Sequence, residues 1–562
     1  MNIVRAVLSL GLAVTMVASA QEGTVDLNAI HRIKAEAFKK GEVVNHLAAL
    51  TDQYGPRLTA SPNYEAAAEW TQARFRQWGL ANIHTEKWGP FGRGWALKHY
   101  SAHLVTPQYA PLVGFPLAWS SSTNGPVTGE PVLIPFRDSD LARFRTDVER
   151  IKKQYAGKLK GKIVLSTASR DSALLVNPLA KRMTDAELAA ESSALTPTPA
   201  KVYDYSKLAV PEDREERGSF MRGAPSGFME AYNEKRKALR VELNEFFRKE
   251  GVLGIFNTDP RGDGGTVFSE SAGWYEAKFP SPLPSVAITM EHYNRITRLL
   301  KLKVPVTVEF EVKAEISDKD KEPVNVVAEI PGGSKSDEVV ILGAHLDSWT
   351  GGTGATDNAA GSSVAMEAVR ILKALNLKLD RTVRVVLWSG EEQGLLGSKA
   401  YVKQHFGDPV TMKIAAPQEK VSAYFNLDNG SGKIRGVYLQ GNDAARPVFE
   451  KWLAPFRDLG VTTISPRNTG GTDHLSFDAV GIPGFQFIQD PLEYMSRTHH
   501  SNMDTFDHAQ PSDLMQAAAI MAAVVYHAAN APAKMPRKPL PEAPVKWVPS
   551  AEAASDAGNG AQ

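Results

Sequence analysis

Glu338-Val339-Val340-Ile341-Leu342-Gly343-Ala344-His345-Leu346-Asp347-Ser348-Trp349 begins as an apolar run and ends in polar, chemically active residues. Val339 to Leu342 is β-branched and unbroken, the texture of a strand covered on both faces. Residues 324–330, 382–388 and 421–427 share that texture. Between the first two of the later runs, residues 362–375 recur at helical spacing, with Val364, Ala368, Ile371, Leu372 and Leu375 on one stripe. Residues 394–406 and 512–529 read as further helices. Strand alternating with helix predicts an α/β fold, a three-layer α/β/α sandwich over residues 311–530.

Working outward, residues 25–53 and 63–78 read as helices joined by a Gly- and Pro-containing loop at 54–62, and 21–124 is assigned to the same domain. Residues 95–125 are extended and broken by prolines. From 125 to 310 short strands at 131–135, 161–165, 252–256 and 285–288 surround a charged, helix-prone stretch at 180–250, which predicts a separate inserted, mostly-β module. The end, 531–562, has no periodicity and reads as a disordered tail. At the start, Arg5, an apolar run over 6–17 and Ala18-Ser19-Ala20 read as a signal peptide, 1–20, cleaved near Ala20. The run is shorter than the ~20 residues a span needs, so the expectation is a secreted or periplasmic protein without stable membrane insertion.

Of the 562 residues, Lys plus Arg total 64 against 63 Asp plus Glu, a net charge of +1. That balance argues against a nucleic-acid partner. Hydrophobic content of 43% excludes a wholly disordered chain. With no cysteine, disulfides, a thiol nucleophile, Cys-ligated zinc and iron–sulfur clusters are excluded.

The informative polar residues follow strand ends or lie in later loops: His345 and Asp347; Asp357 after a glycine-rich turn; Glu391-Glu392; Asp428; and His499-His500. In an open α/β sheet the carboxyl ends of the strands form one crevice, so these residues converge. Two imidazoles and three carboxylates suit a pair of divalent ions such as zinc, about 3.5–4 Å apart and sharing a carboxylate. His345 and His500 are assigned one to each metal, Asp357 as the bridge, and Asp428 and Glu392 as terminal ligands. Glu391, next to a ligand, is placed as general base. Asp347 is placed to hold the other ring nitrogen of His345.

Four segments together resemble the co-catalytic zinc exopeptidases of peptidase family M28, the aminopeptidase / glutamate carboxypeptidase family. They are Gly343-Ala344-His345-Leu346-Asp347-Ser348-Trp349, Thr356-Asp357-Asn358-Ala359-Ala360-Gly361, Trp388-Ser389-Gly390-Glu391-Glu392-Gln393-Gly394 and His499-His500-Ser501-Asn502-Met503-Asp504-Thr505. The resemblance implies the same ligands and base, two zinc ions per chain, and a protease-associated domain at 125–310. It also implies that His499 donates toward the tetrahedral oxygen and that His474 of Thr472-Asp473-His474 lies on the substrate side. Arg467 of Pro466-Arg467-Asn468 is a separate candidate to face a substrate carboxylate. The expected activity is hydrolysis of short peptides by a metal-bridging water activated by Glu391, as an aminopeptidase or dipeptidase. The alternatives are a carboxypeptidase of the glutamate carboxypeptidase type and a non-catalytic binding protein on the same scaffold. The inserted module also allows a homodimer.

Other chemistries lack their residues. No Gly-x-Ser-x-Gly elbow follows a strand, His-Glu-x-x-His is absent, and Gly351-Gly352-Thr353-Gly354 lacks the Gly-Lys-Ser/Thr ending of a nucleotide loop. Glutaminyl cyclases share the fold type but resemble single-zinc enzymes with fewer ligands.

Overall fold

The computed structural model describes residues 25–171, 174–195, 201–211, 213–317, 319–544 and 546–548. The signal-peptide segment lies outside them. Two eight-stranded sheets organise the chain. The first runs in the order Ala81–Lys87, Val324–Ile330, Arg381–Trp388, Lys335–His345, Val421–Asn426, Gly484–Gln489, Ile434–Tyr438, Thr463–Ser465. Its centre, from Arg381–Trp388 to Gly484–Gln489, is parallel, with His345 opposite Trp388 and Gly343 opposite Asn426. The carboxyl ends of these strands therefore stop at one level.

Alternate residues along the central strands enter opposite layers, as a pleated strand requires. Val340, Leu342, Val383, Val385 and Leu387 face the core built by helices Leu27–Lys40, Val43–Ala48, Ala360–Ala374 and Pro511–Asn530. Ile341, Val386 and Trp388 face Tyr401 and Val402 of Leu396–His405 and Phe477 of His474–Asp478. This is the expected three-layer sandwich. Gly41, in extended backbone, divides the helical stretch expected over 25–53.

The loop before helix Pro62–Gln77 is fastened to the site loops. Arg57 is fully buried. Its guanidinium donates to the carbonyls of Leu346 (2.7 Å), Leu50 (2.7 Å), Thr353 (2.9 Å) and Gly354 (2.8 Å). Burial lowers its pKa to about 10, which leaves it charged.

The second sheet runs Ala110–Pro111, Trp95–Thr106, Thr307–Ile316, Val127–Leu133, Lys162–Leu165, Gly254–Asn257, Ser285–Ile288, Gly114–Pro116. Helices Leu141–Tyr155 and Phe228–Glu250 cover one face and Met290–Lys301 the other. Trp95–Thr106 pairs antiparallel along Thr307–Ile316. The second sheet therefore draws strands from upstream of 125 and from beyond 310. The pairing joins segments about two hundred residues apart, which no local pattern reveals.

Residues 531–544 and 546–548 are held along the surface. Met535 is buried. Arg537 donates to the carbonyls of Gly481 (3.1 Å), Gln418 (2.9 Å) and Val421 (2.6 Å). Trp547 donates through Nε1 to the carbonyl of Tyr205 (2.8 Å) and meets Phe228 edge-on. Contacts to backbone carbonyls need no apolar periodicity, so the segment looks structureless in sequence. Residues 549–562 lie outside the described residues. Among the described residues no helix is long and apolar enough to cross a membrane.

Candidate active site

Strand Lys335–His345 delivers His345, and strand Arg381–Trp388 runs into Glu391 and Glu392. Asp428 follows Val421–Asn426, Asp357 sits on the turn Ala355–Ala359, and His499 and His500 follow Tyr494–Thr498. His345 Nε2 is 3.2 Å from Asp357 Oδ1, 3.3 Å from Asp428 Oδ1 and 3.9 Å from Glu391 Oε2. His500 Nε2 is 3.0 Å from Glu392 Oε2 and 3.3 Å from Asp357 Oδ2. The two oxygens of Asp357 thus face different imidazoles. His499 stacks on His500 with ring centroids 3.6 Å apart, and its Nε2 is 3.9 Å from Asp357 Oδ2.

The donor atoms form two adjacent groups with Asp357 in common: His345, Asp357 and Asp428, and Asp357, His499 and His500. The pocket is buried and acidic. Burial, with the neighbouring charges of Asp428, Asp473 and Glu392, pushes Glu391 well above the usual carboxylate range. Burial and Asp357 push Glu392 up to about 8. Asp357 Oδ2 and Glu392 Oε1 are buried without a hydrogen-bond partner. Orphaned carboxylate oxygens facing imidazoles in a crowded acidic pocket are the donor set that divalent zinc accepts. The site is a dinuclear zinc centre, two ions per chain, with Asp357 shared.

Neighbouring groups hold these side chains. His345 Nδ1 lies 3.0 Å from the backbone carbonyl of Asp347, whose carboxylate stands off at 3.7 Å. Both the carbonyl and the carboxylate of Asp347 thus face this ring nitrogen, the carbonyl being the nearer. The Asp347 carboxylate also accepts from the backbone N–H groups of Glu391 (3.3 Å) and Glu392 (3.4 Å) and from the Thr59 hydroxyl (2.9 Å). It fixes the corner that carries both glutamates. Asp504 Oδ1 accepts from Thr356 N (2.6 Å) and Oγ1 (2.8 Å) and so sets the turn bearing Asp357.

Two sequence candidates do not line the crevice. His474 is fully buried, and its Nε2 faces the carbonyl of Thr469 at 3.3 Å. Burial drops its pKa to about 4, so the ring is neutral and holds its own loop. Arg467 pairs with Glu191 at 3.1 Å, on helix Asp185–Ser192 of the second unit, and is committed there.

Thr59 and Glu270 carry no motif that marks them, whereas Asp473 lies inside the Thr472-Asp473-His474 segment. Glu270 Oε1 lies 2.8 Å from His500 Nδ1. Asp473, beside His474, is buried with neither oxygen hydrogen-bonded, and its carboxyl is pushed up to about 7, mainly by burial.

With this geometry in place, residues 325–525 match the family model described as peptidase family M28. The match spans the part of the chain that carries His345, Asp357, Glu391, Glu392, Asp428, His499 and His500. Carboxypeptidase Q of Bos taurus is 25% identical over 492 residues, 87% of this chain and 86% of that protein. The crystal structure of a peptidase M28 precursor from Shewanella amazonensis SB2B is similar with a TM-score of 0.61 and 25% identity, over 92% of this chain and 98% of that one. An aminopeptidase from Aneurinibacillus sp. strain AM-1 shares the fold, with a TM-score of 0.50 at 21% identity over 91% and 98%. The chain is a zinc-dependent metallopeptidase, and its two donor groups meet at Asp357.

Proposed function

We propose that this M28 metallopeptidase removes C-terminal residues from short peptides, dipeptides included, as an exported carboxypeptidase of the glutamate carboxypeptidase type. His345, Asp357 and Asp428 would hold one zinc, and Asp357, Glu392 and His500 would hold the other. Zinc bound there supplies Lewis-acid polarisation of the scissile carbonyl and an easily deprotonated water. Glu391 takes the proton of the attacking water and passes it to the leaving amine nitrogen. Its backbone is fixed through Asp347, and its raised pKa suits a group that must both accept and return a proton. His499, stacked on His500, donates toward the developing oxyanion.

The single observation that carries the reading is Asp357 facing His345 with one oxygen and His500 with the other, with Glu391 beside them. Direction rests on two supports. One is the name of the Bos taurus relative, which aligns over most of both chains. The other is Lys399, in the first half of helix Leu396–His405 just after the Glu391–Glu392 corner. Its Nζ donates to the carbonyl of Gly394 (2.9 Å), in the turn that follows Glu391 and Glu392, and offers a cation for a terminal carboxylate. Arg467, bound to Glu191, no longer serves that purpose. The second unit, read as a protease-associated domain, walls the crevice and restricts it to chain ends.

An aminopeptidase reading keeps one observation in its favour. Asp473 is a buried, unpartnered carboxylate within the field of His345 and Asp428, and an ammonium would satisfy it. A matched panel of free dipeptides, N-acetylated dipeptides and dipeptide amides decides between them. The carboxypeptidase reading expects N-acetylation to be tolerated and C-terminal amidation to abolish turnover. The reverse pattern rejects it.

A further inference from the structure

The two imidazoles at the centre are oriented by different parts of the molecule. His345 is held by its own loop, through the carbonyl of Asp347 at 3.0 Å. His500 has nothing comparable in the first sheet. Its Nε2 faces Asp357 and Glu392, and its Nδ1 faces Glu270 Oε1 at 2.8 Å. Glu270 belongs to the second unit, on the segment between strands Gly254–Asn257 and Ser285–Ile288. That segment also grips the backbone of the His500 loop. Ser269 N donates to the carbonyl of His500 (3.0 Å), Asn502 N to the carbonyl of Val267 (3.0 Å), and Val267 N to Asn502 Oδ1 (2.7 Å). His500 has φ of 66°, a left-handed backbone that a non-glycine residue holds only when its surroundings fix it. Arg261 backs Glu270 at 3.4 Å and lies over the Phe268 ring at 4.0 Å.

We propose that Glu270 is the positioning residue of the second zinc site, so that the inserted unit completes the metal centre as well as walling it. This rests on the reading of His500 as a zinc ligand. A carboxylate on Nδ1 places that ring's proton away from the metal face, fixes the ring plane and makes Nε2 a stronger donor. The two sites therefore differ in kind. The His345 site is assembled within the first sheet, and the His500 site is assembled across the junction of the two units.

The test is competition between full-length protein and a zinc chelator, which resolves two affinities. Glu270→Ala is expected to weaken one zinc by about 10–100-fold and leave the other unchanged. Glu270→Gln, which keeps an acceptor oxygen without the charge, is expected to fall between it and the parent. Melting in excess chelator is expected to match the parent, and bound cobalt(II) is expected to show altered visible bands for one site only. Parent-like affinities for both zinc ions in Glu270→Ala, while His500→Ala loses one, overturn the proposal and leave the site reading intact. A lowered melt in chelator with equal weakening of both sites also overturns it, because the role is then structural. If His500→Ala itself keeps two zinc ions at parental affinity, the underlying reading fails as well.

Discussion

Both sheets have a run of parallel strands, yet only one builds a chemical centre at their ends. In the first, the strands ending at His345, Trp388 and Asn426 lead directly into ligand-type residues. In the second, Val127–Leu133, Lys162–Leu165, Gly254–Asn257 and Ser285–Ile288 are likewise parallel. Among the described residues no group of metal-binding side chains lies in that unit. It lends the loop carrying Glu270 to the first sheet and the helix Asp185–Ser192 to its edge. Parallel topology supplies a crevice, and the side chains placed there decide whether it does chemistry.

The contrast sets the order of expected effects. Asp357→Ala strikes the shared ligand and is expected to abolish turnover on the best peptide substrate. Activity within tenfold of the parent would break the claim that the first sheet owns the chemistry. Glu391→Gln comes next, with turnover lower by about 10²–10⁴-fold and zinc content unchanged. A parallel loss of zinc would make Glu391 a ligand and not a base.

On the other side of the comparison, Asp138 ties the second unit together. Burial alone would raise its pKa, but Arg240 (2.5 Å) and Arg236 (2.9 Å) outweigh burial and hold it below the usual carboxylate range. A depressed carboxylate stabilises the fold above its unfolded value of ~3.9, and that stabilisation fades as pH falls through the folded value. Asp138→Asn is therefore expected to melt earlier than the parent at pH 7, with the gap narrowing below about pH 4. A gap independent of pH would contradict this. The smallest effect belongs to Arg467→Ala, which removes a partly exposed ion pair worth about 0–1 kcal/mol. Its Michaelis constant for dipeptides is expected to stay within about threefold of the parent, and a large rise would restore Arg467 as a carboxylate clamp.

The same contrast separates what could be read from the chain. The sandwich was legible because its strands are continuous apolar runs and its helices carry periodic stripes. The ligand residues were legible because polar residues directly following such runs are unusual. The second unit was half legible. Its short parallel strands carry apolar texture, but Trp95–Thr106 is an alternating, partly exposed strand whose partner lies far along the chain. Glu270 was illegible, since a glutamate in a loop gains meaning only when folding brings it to His500. The fate of Arg467 and His474 shows the limit of motif position, because one is neutralised by Glu191 and the other buried against its own loop.

One carboxylate, Asp357, joins the two donor groups at the ends of the first sheet. Zinc analysis of exhaustively dialysed, zinc-reloaded protein tests it most directly when Asp357→Ala and Asp428→Ala are run beside the parent. The account predicts two zinc ions per chain in the parent, close to one in Asp428→Ala and close to none in Asp357→Ala. A parent holding one ion or none, or an Asp357→Ala variant that still holds two, would contradict it.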